Sequence, residues 1–282
     1  MRIIDAHIHF SAIESFRHTA RELSLVDYSG NGLVNEMRDG NIAYCIGMGV
    51  TETPDMGFPD YHAASPMGLD LDPLPPNVGM CPGINPKTLN QKALDDLEKL
   101  LKEPHVVGIK IYLGYYPYYA YDDIYQPVYD LAAAYDKPVV FHTGDTYSER
   151  GLLKYSHPLT LDEVAVQRRD VNFMMAHLGD PWTLTGAEVV YKNRNMYADL
   201  SGWIVGTKAT LDDYSKDHFL DHIRHAIRFC DHYEKLIFGS DWPLAPIKDY
   251  AQFIGDLIPE KHHQLVFYDN AKNLFLKDVK LD

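Results

Sequence analysis

Cysteine is scarce in this sequence. The three that occur, Cys45, Cys81 and Cys230, are odd in number, widely spaced and set in apolar stretches (AYCIGMG, VGMCPGI, IRFCDHY). No CxxC pair or Cys/His knuckle is present, so they are expected to be small buried hydrophobes in a reducing compartment. Positive charge is short as well. Against 40 Asp and Glu there are 26 Lys and Arg, a formal net charge of −14, which argues against a nucleic-acid or anionic-membrane partner. No apolar run approaches the ~20 residues that a membrane span needs. The opening MRIIDAHIHF lacks a basic n-region followed by a long apolar h-region, so a soluble cytoplasmic protein is expected. There is no Gly-rich phosphate loop after an early strand, which counts against a doubly wound dinucleotide-binding sheet.

What is present is a regular alternation. Eight short apolar runs recur: Ile3–Ile8, Ala43–Val50, Val78–Ile84, Val106–Tyr112, Pro138–His142, Val171–His177, Asn195–Ser201 and Lys235–Asp241. Each is rich in Val, Ile, Met or aromatic residues and bounded by Gly, Pro or polar residues, as buried parallel strands are. Amphipathic stretches lie between them at Thr88–Lys102, Asp123–Tyr135, Leu161–Arg169, Asp217–Tyr233 and Asp249–Ile258. This pattern predicts an α/β fold, a (β/α)8 TIM barrel. The segment Thr51–Pro76 carries too many Pro and Gly residues for a good helix and reads as a long, irregular second βα loop, a potential lid. The tail YDNAKNLFL reads as a closing C-terminal helix. No linker or composition shift divides the chain, so 1–282 is read as one domain.

Chemistry concentrates at the C-terminal ends of the strands, where barrel active sites sit. Asp5-Ala-His7-Ile-His9 places two imidazoles two residues apart, hence on one face of the first strand. PVVFHTGD ends the fifth strand on His142, FMMAHLGD ends the sixth on His177, and IFGSDWP ends the eighth on Asp241. A core histidine explains one such residue, but four strand ends together point to a metal site. Nitrogen and oxygen donors of this kind suit Zn, Mn, Fe or Co rather than Ca or Mg. Asp5, also two residues from His7, is read either as a support for a ligand or as a structural residue.

The HxH on the first strand, the single histidines on the fifth and sixth, and the Asp on the eighth resemble the amidohydrolase superfamily, most closely its family-2 branch. The run GIKIYLGYYPYY…DDIYQPVYDLAAAYDKPVVFHTGD, the GSDWP motif and the DNAKNLF tail are similar to that branch. The resemblance implies that His7, His9, His142 and Asp241 hold one divalent transition metal, Zn before Mn. His177 would then be an acid/base or carbonyl-polarising group, or a ligand to a second ion. Many relatives have Lys-x-His on the fourth strand, where this chain reads Lys110-Ile111-Tyr112. A carboxylated Lys110 bridging two metals is the alternative to a single ion with Lys110 near the substrate.

These parts predict a metal-dependent hydrolase in which Asp241 takes a proton from water that attacks an amide or lactone carbonyl of a small carboxylated molecule. The alternatives are a non-oxidative decarboxylase of an aromatic or muconate-type acid, as in the same branch, and a catalytically silent ligand-binding barrel. Weaker substrate-binding candidates are Lys110, Tyr112, Arg150 as a carboxylate clamp, and Trp203 and Trp242 after the seventh and eighth strands. Six tyrosines between Tyr112 and Tyr121 are read as a loop over the site. His218, His222 and His225, at helical spacing, are read as solvated or core histidines. Relatives commonly pair, so a homodimer is expected.

Overall fold

The computed structural model describes residues 1–51, 66–216 and 218–281. Parallel strands alternate with helices and close into a TIM barrel. The strands are β1 (Ile3–Ile8), β2 (Ile42–Met48), β3 (Val78–Cys81), β4 (Gly83–Ile84), β5 (Ile109–Ile111), β6 (Val139–Phe141), β7 (Phe173–Met175), β8 (Met196–Asp199) and β9 (Leu236–Ile237). Each expected run holds one strand except Val78–Ile84, which Pro82 divides into β3 and β4. Proline has no N–H for the ladder. Its carbonyl still accepts from Lys110 N–H at 2.9 Å, so the stave continues through the break.

Strands β1–β3 and β4–β9 form two ladders of parallel neighbours, and backbone hydrogen bonds close both gaps. At one seam Met80 N–H donates to His105 O (2.8 Å) and Val107 N–H to Met80 O (2.9 Å). At the other, Ala6 N–H donates to Phe238 O (3.0 Å), Asp241 N–H to His7 O (2.8 Å) and His9 N–H to Trp242 O (2.7 Å). The second seam positions the candidate site. It sews the HxH segment directly to the GSD segment, although more than two hundred residues separate them in sequence.

Period-two alternation sorts the strand side chains into two layers. Ile4, Ile46, Val140, Met174 and Ile237 meet in the lumen with Leu274, Phe275 and Leu276 of the C-terminal segment. Their neighbours Ile3, Cys45, Val139, Phe173 and Phe238 pack outward beneath the helices. Burying each large side chain contributes about 1.5–3 kcal/mol. The lower lumen is thus filled with hydrocarbon and plugged by the helix Asn270–Phe275. Asn270 fastens that helix by donating to Tyr233 O (2.7 Å) and Leu236 O (2.8 Å). Polar strand residues are left only at the upper edge.

The expected helix Thr88–Lys102 runs over Gln91–Leu101, because Asn90 caps it by accepting from Ala93 N–H at 3.1 Å. Among the described residues five α-helices had no counterpart in the sequence reading: Glu14–Thr19, Gly30–Asp39, Leu153–Ser156, Thr183–Lys192 and Lys208–Lys216. Residues 52–65 of the loop expected at Thr51–Pro76, and with them most of the lid reading, lie outside the described residues. Asp217, the first residue of an expected helix, lies outside them too. The remainder of that loop, 66–76, contains no helix, and Met67 pairs antiparallel with Gly83. All three cysteines are buried and free. Among the described residues no helix is long and apolar enough to cross a membrane.

Candidate metal centre

The β1–β9 seam sets His7, His9 and Asp241 side by side at the upper edge of the lumen. Asp241 Oδ1 lies 3.0 Å from His9 Nε2 and 3.5 Å from His7 Nε2. All three side chains are buried, and their donor atoms lie within 4.8 Å of one another. Neither His7 Nε2 nor Asp241 Oδ1 has a hydrogen-bond partner. Buried polar atoms are normally paired, so these two orphaned atoms, with His9 Nε2 beside them, form a set into which a cation fits. The backbone is bent to produce it. Asp241 (φ 60°) and His177 (φ 62°) both occupy the left-handed region, a strain of the kind found at functional sites.

Hydrogen bonds fix which nitrogen of His7, His142 and His177 carries the lone pair. His7 Nδ1–H donates to Asp199 Oδ2 at 2.8 Å, leaving Nε2 as the ligand atom. His177 Nδ1–H donates to Ser201 O (3.1 Å) and lies 3.0 Å from Ser201 Oγ. His142 Nε2–H donates to Asp145 O at 2.8 Å, which leaves Nδ1 with its lone pair. Asp199 organises this network. Its Oδ1 accepts from His177 N–H (2.9 Å), Ser201 N–H (3.1 Å) and Ser201 Oγ–H (2.5 Å). In the second group, His7, His177 and Asp199, the Nδ1 atoms are already engaged by Asp199 and Ser201, so this cluster supports the first and does not rival it. The sequence reading missed Asp199 and Ser201. The signal was present: Asp199 ends its strand as His142, His177 and Asp241 end or follow theirs.

Charge follows the same layout. Burial lowers the His7 pKa to about 4, reinforced by the Lys110 charge. Burial likewise lowers His9, and lowers His142 well below the ordinary value, with His177 and Lys110 adding to the latter. Burial opposes the charge of Asp241, but His7, His9 and His177 hold its carboxyl far below the usual range. Asp199 is depressed too, against burial, by His7, His177 and Ser201. Neutral imidazoles beside a carboxylate are the protonation states a divalent ion requires.

A cavity of about 160 Å³ opens above this group, and its walls include His9, Lys110, Tyr112, His142, His177 and Asp241. His142 stands on this wall, its ring 5.1 Å from that of His177, outside the three-residue group. Phe16 stacks on His9 at 4.3 Å. Gly202 and Gly239 are the close approaches that make room. A Cβ on Gly239 would come within 2.7 Å of His7 Cβ, and one on Gly202 (φ +73°) within 2.7 Å of both Asp241 Oδ2 and His177 Nδ1. Gly202→Ala is expected to cost roughly 1–3 kcal/mol of stability and to lower metal content. Wild-type denaturation and metal analysis in that variant would refute the cradle.

Several expected contacts are corrected. Trp242 is fully buried, 4.9 Å from the Tyr28 ring, and does not line the cavity. Trp203 donates its indole N–H to His177 O at 2.9 Å, bracing that residue from behind. Arg150 is exposed and outside the cavity wall. Tyr112 lines the cavity, but its hydroxyl donates to Gly49 O at 3.0 Å; of the six tyrosines only Tyr112 and Tyr115 reach the wall. Asp5 does not share the HxH face. The ladder register is irregular between Asp5 and Ile8, and the carboxylate turns sideways to accept from Ser240 N–H (2.9 Å) and Oγ–H (2.6 Å). Burial raises its pKa to about 7 despite these bonds. His218 and His225 are exposed, and His222 Nε2 lies 3.0 Å from Asp180 Oδ1.

Comparison with known proteins agrees with this fold. An uncharacterised TIM-barrel protein of Bordetella bronchiseptica superposes with a TM-score of 0.66 at 16% identity, over 97% of this chain and 98% of that one. A probable 2-pyrone-4,6-dicarboxylic acid hydrolase of Acinetobacter baumannii, with citric acid bound, gives 0.62 at 16% identity, over 98% and 99%. A dihydroxybenzoic acid decarboxylase of a Polaromonas species, with bound manganese and 2-nitroresorcinol, gives 0.65 at 16% identity, over 97% and 96%. At these identities the likeness is one of fold. No curated protein sequence matches the chain. The amidohydrolase family 2 pattern, however, matches residues 4–276, from the first strand through the last helix. The chain belongs to the amidohydrolase family.

Proposed function

We propose that this protein is a metal-dependent hydrolase that opens an amide or lactone carbonyl. The observation that carries the reading is the convergence of His7 Nε2, His9 Nε2 and Asp241 Oδ1, with His7 Nε2 and Asp241 Oδ1 lacking hydrogen-bond partners and the His7 tautomer fixed by Asp199. These three would hold one divalent transition ion, with His142 Nδ1 as the further donor from the adjoining wall. Two or three imidazoles and a carboxylate favour zinc, with manganese next. Such an ion, when bound, supplies Lewis acidity and brings the pKa of water toward ~7.

The chain's own residues do the rest. Asp241, charged at neutral pH, accepts the proton of the attacking water. That proton ends on the leaving amine or alkoxide. His177 has Nε2 for this transfer, because its Nδ1–H is committed to Ser201 O. In its neutral form His177 therefore accepts at Nε2 and does not polarise the carbonyl by donation. The test is to incubate metal-loaded protein with panels of lactones, amides and aromatic carboxylates, following acid release and CO2 release. Acid release that chelation abolishes is expected. CO2 release in its place would overturn the hydrolase reading in favour of a decarboxylase.

A further inference from the structure

Among the described residues Lys110 is the one Lys or Arg on the cavity wall, and the proposed chemistry leaves it without a task. Its side chain points from β5 into the lumen and is fully buried. Nζ has no hydrogen-bond partner, and among the described residues no carboxylate lies within 4.0 Å of it. The neighbouring carboxylates are engaged elsewhere. Both oxygens of Asp199 already accept from His7, His177 and Ser201, and Asp241 faces the histidines. The Tyr112 ring lies 5.3 Å from Nζ to its centroid. A buried ammonium with three unused N–H donors is costly unless a counter-charge reaches it. Such a charge can enter through the cavity that Lys110 lines. The wall of that cavity also carries exposed Asp145 and half-buried Asp180, whose charge repels a second anion there.

We infer that Lys110 is the anion-binding residue of the cavity floor and seats the carboxylate of a small organic acid beside the His7/His9/Asp241 group. The placement of the reacting carbonyl next to this carboxylate rests on the hydrolase reading. The binding of the anion does not, since Lys110 needs no metal to attract it. Charge and three donors match one carboxylate, and Arg150, outside the wall, is not required. The cavity would thus select monoanions held by the acid end at the floor, with the rest of the molecule toward Phe16 and Tyr115.

The probe is acetate, titrated calorimetrically into metal-loaded and chelator-treated protein, wild type and Lys110→Met. Acetate should bind both forms of the wild type, and roughly tenfold or more weakly in Lys110→Met. Acetate should also raise the melting temperature of the wild type and leave that of the variant unchanged. Without ligand, the variant should melt at or above the wild-type temperature, because methionine removes an unpaired buried charge at similar length. Its metal content should equal that of wild type; loss of metal in this variant would make Lys110 part of the ligand set and overturn the inference. Binding only to the loaded form, undiminished in Lys110→Met, would place the anion elsewhere and overturn the inference. So would the absence of acetate binding to both forms, or a lower melting temperature for the variant. A carbamate on Lys110, seen as the added mass of CO2 on the intact protein, would overturn it as well by giving the amine a different role.

Discussion

Asp241→Asn is expected to empty the centre while leaving the barrel folded. The substitution keeps the shape of the side chain, and asparagine tolerates the left-handed backbone at φ 60° as well as aspartate does. What it removes is the only carboxylate among the three convergent donors. The loss of metal affinity should exceed the roughly 10–100-fold that follows deletion of a supporting hydrogen bond. Turnover should vanish with it, because the same residue accepts the water's proton in the proposed chemistry. Metal analysis after dialysis, with a thermal melt of the chelated form, measures both halves. Undiminished metal retention would remove Asp241 from the ligand set.

The second large effect is expected one layer out. Asp199→Asn replaces an oxygen pair that accepts four donors with one oxygen and one NH2 group. If the oxygen stays on His7 Nδ1–H, the NH2 confronts His177 N–H, Ser201 N–H and Ser201 Oγ. If the amide flips, the NH2 confronts His7 Nδ1–H, which then releases its proton to Nε2 and spoils the ligand atom. The first orientation leaves buried donors unpaired, at about 1–3 kcal/mol of stability, and the second puts the proton on the ligand atom. Metal affinity should fall roughly 10–100-fold. Competition against a chromophoric chelator reads the affinity, and denaturant unfolding reads the stability. A variant with wild-type affinity would reduce Asp199 to a structural residue.

Much of the fold was legible because a closed parallel barrel repeats one pattern, and every stave is a short apolar run. What escaped has local causes. Gly30 and Gly32 disguise the helix Gly30–Asp39, yet both are there because the helix presses against the backbone of Pro73 and Asp27. Pro82 divided one strand in two without displacing it. At the site, His7, His9 and Asp241 could be placed together from strand ends alone, since a barrel's upper edge gathers them wherever they fall in sequence. Direction was harder. Trp242 follows a strand end as closely as any ligand does, but it turns down into the core. A one-residue irregularity in β1 was enough to turn Asp5 from the cavity toward Ser240. Asp199 and Ser201 lay in a recognised strand run and went unremarked, because their task is to hold histidines from other strands. Spacing along one strand carries no trace of such partners.

The central claim is that a cation belongs among His7, His9 and Asp241. Crystals of the metal-loaded protein, measured on both sides of the absorption edge of the added ion, test this directly. The account predicts an anomalous peak bonded to His7, His9 and Asp241. A peak on the surface histidines His218 and His222, or clear density for these three side chains with none between them, would contradict it.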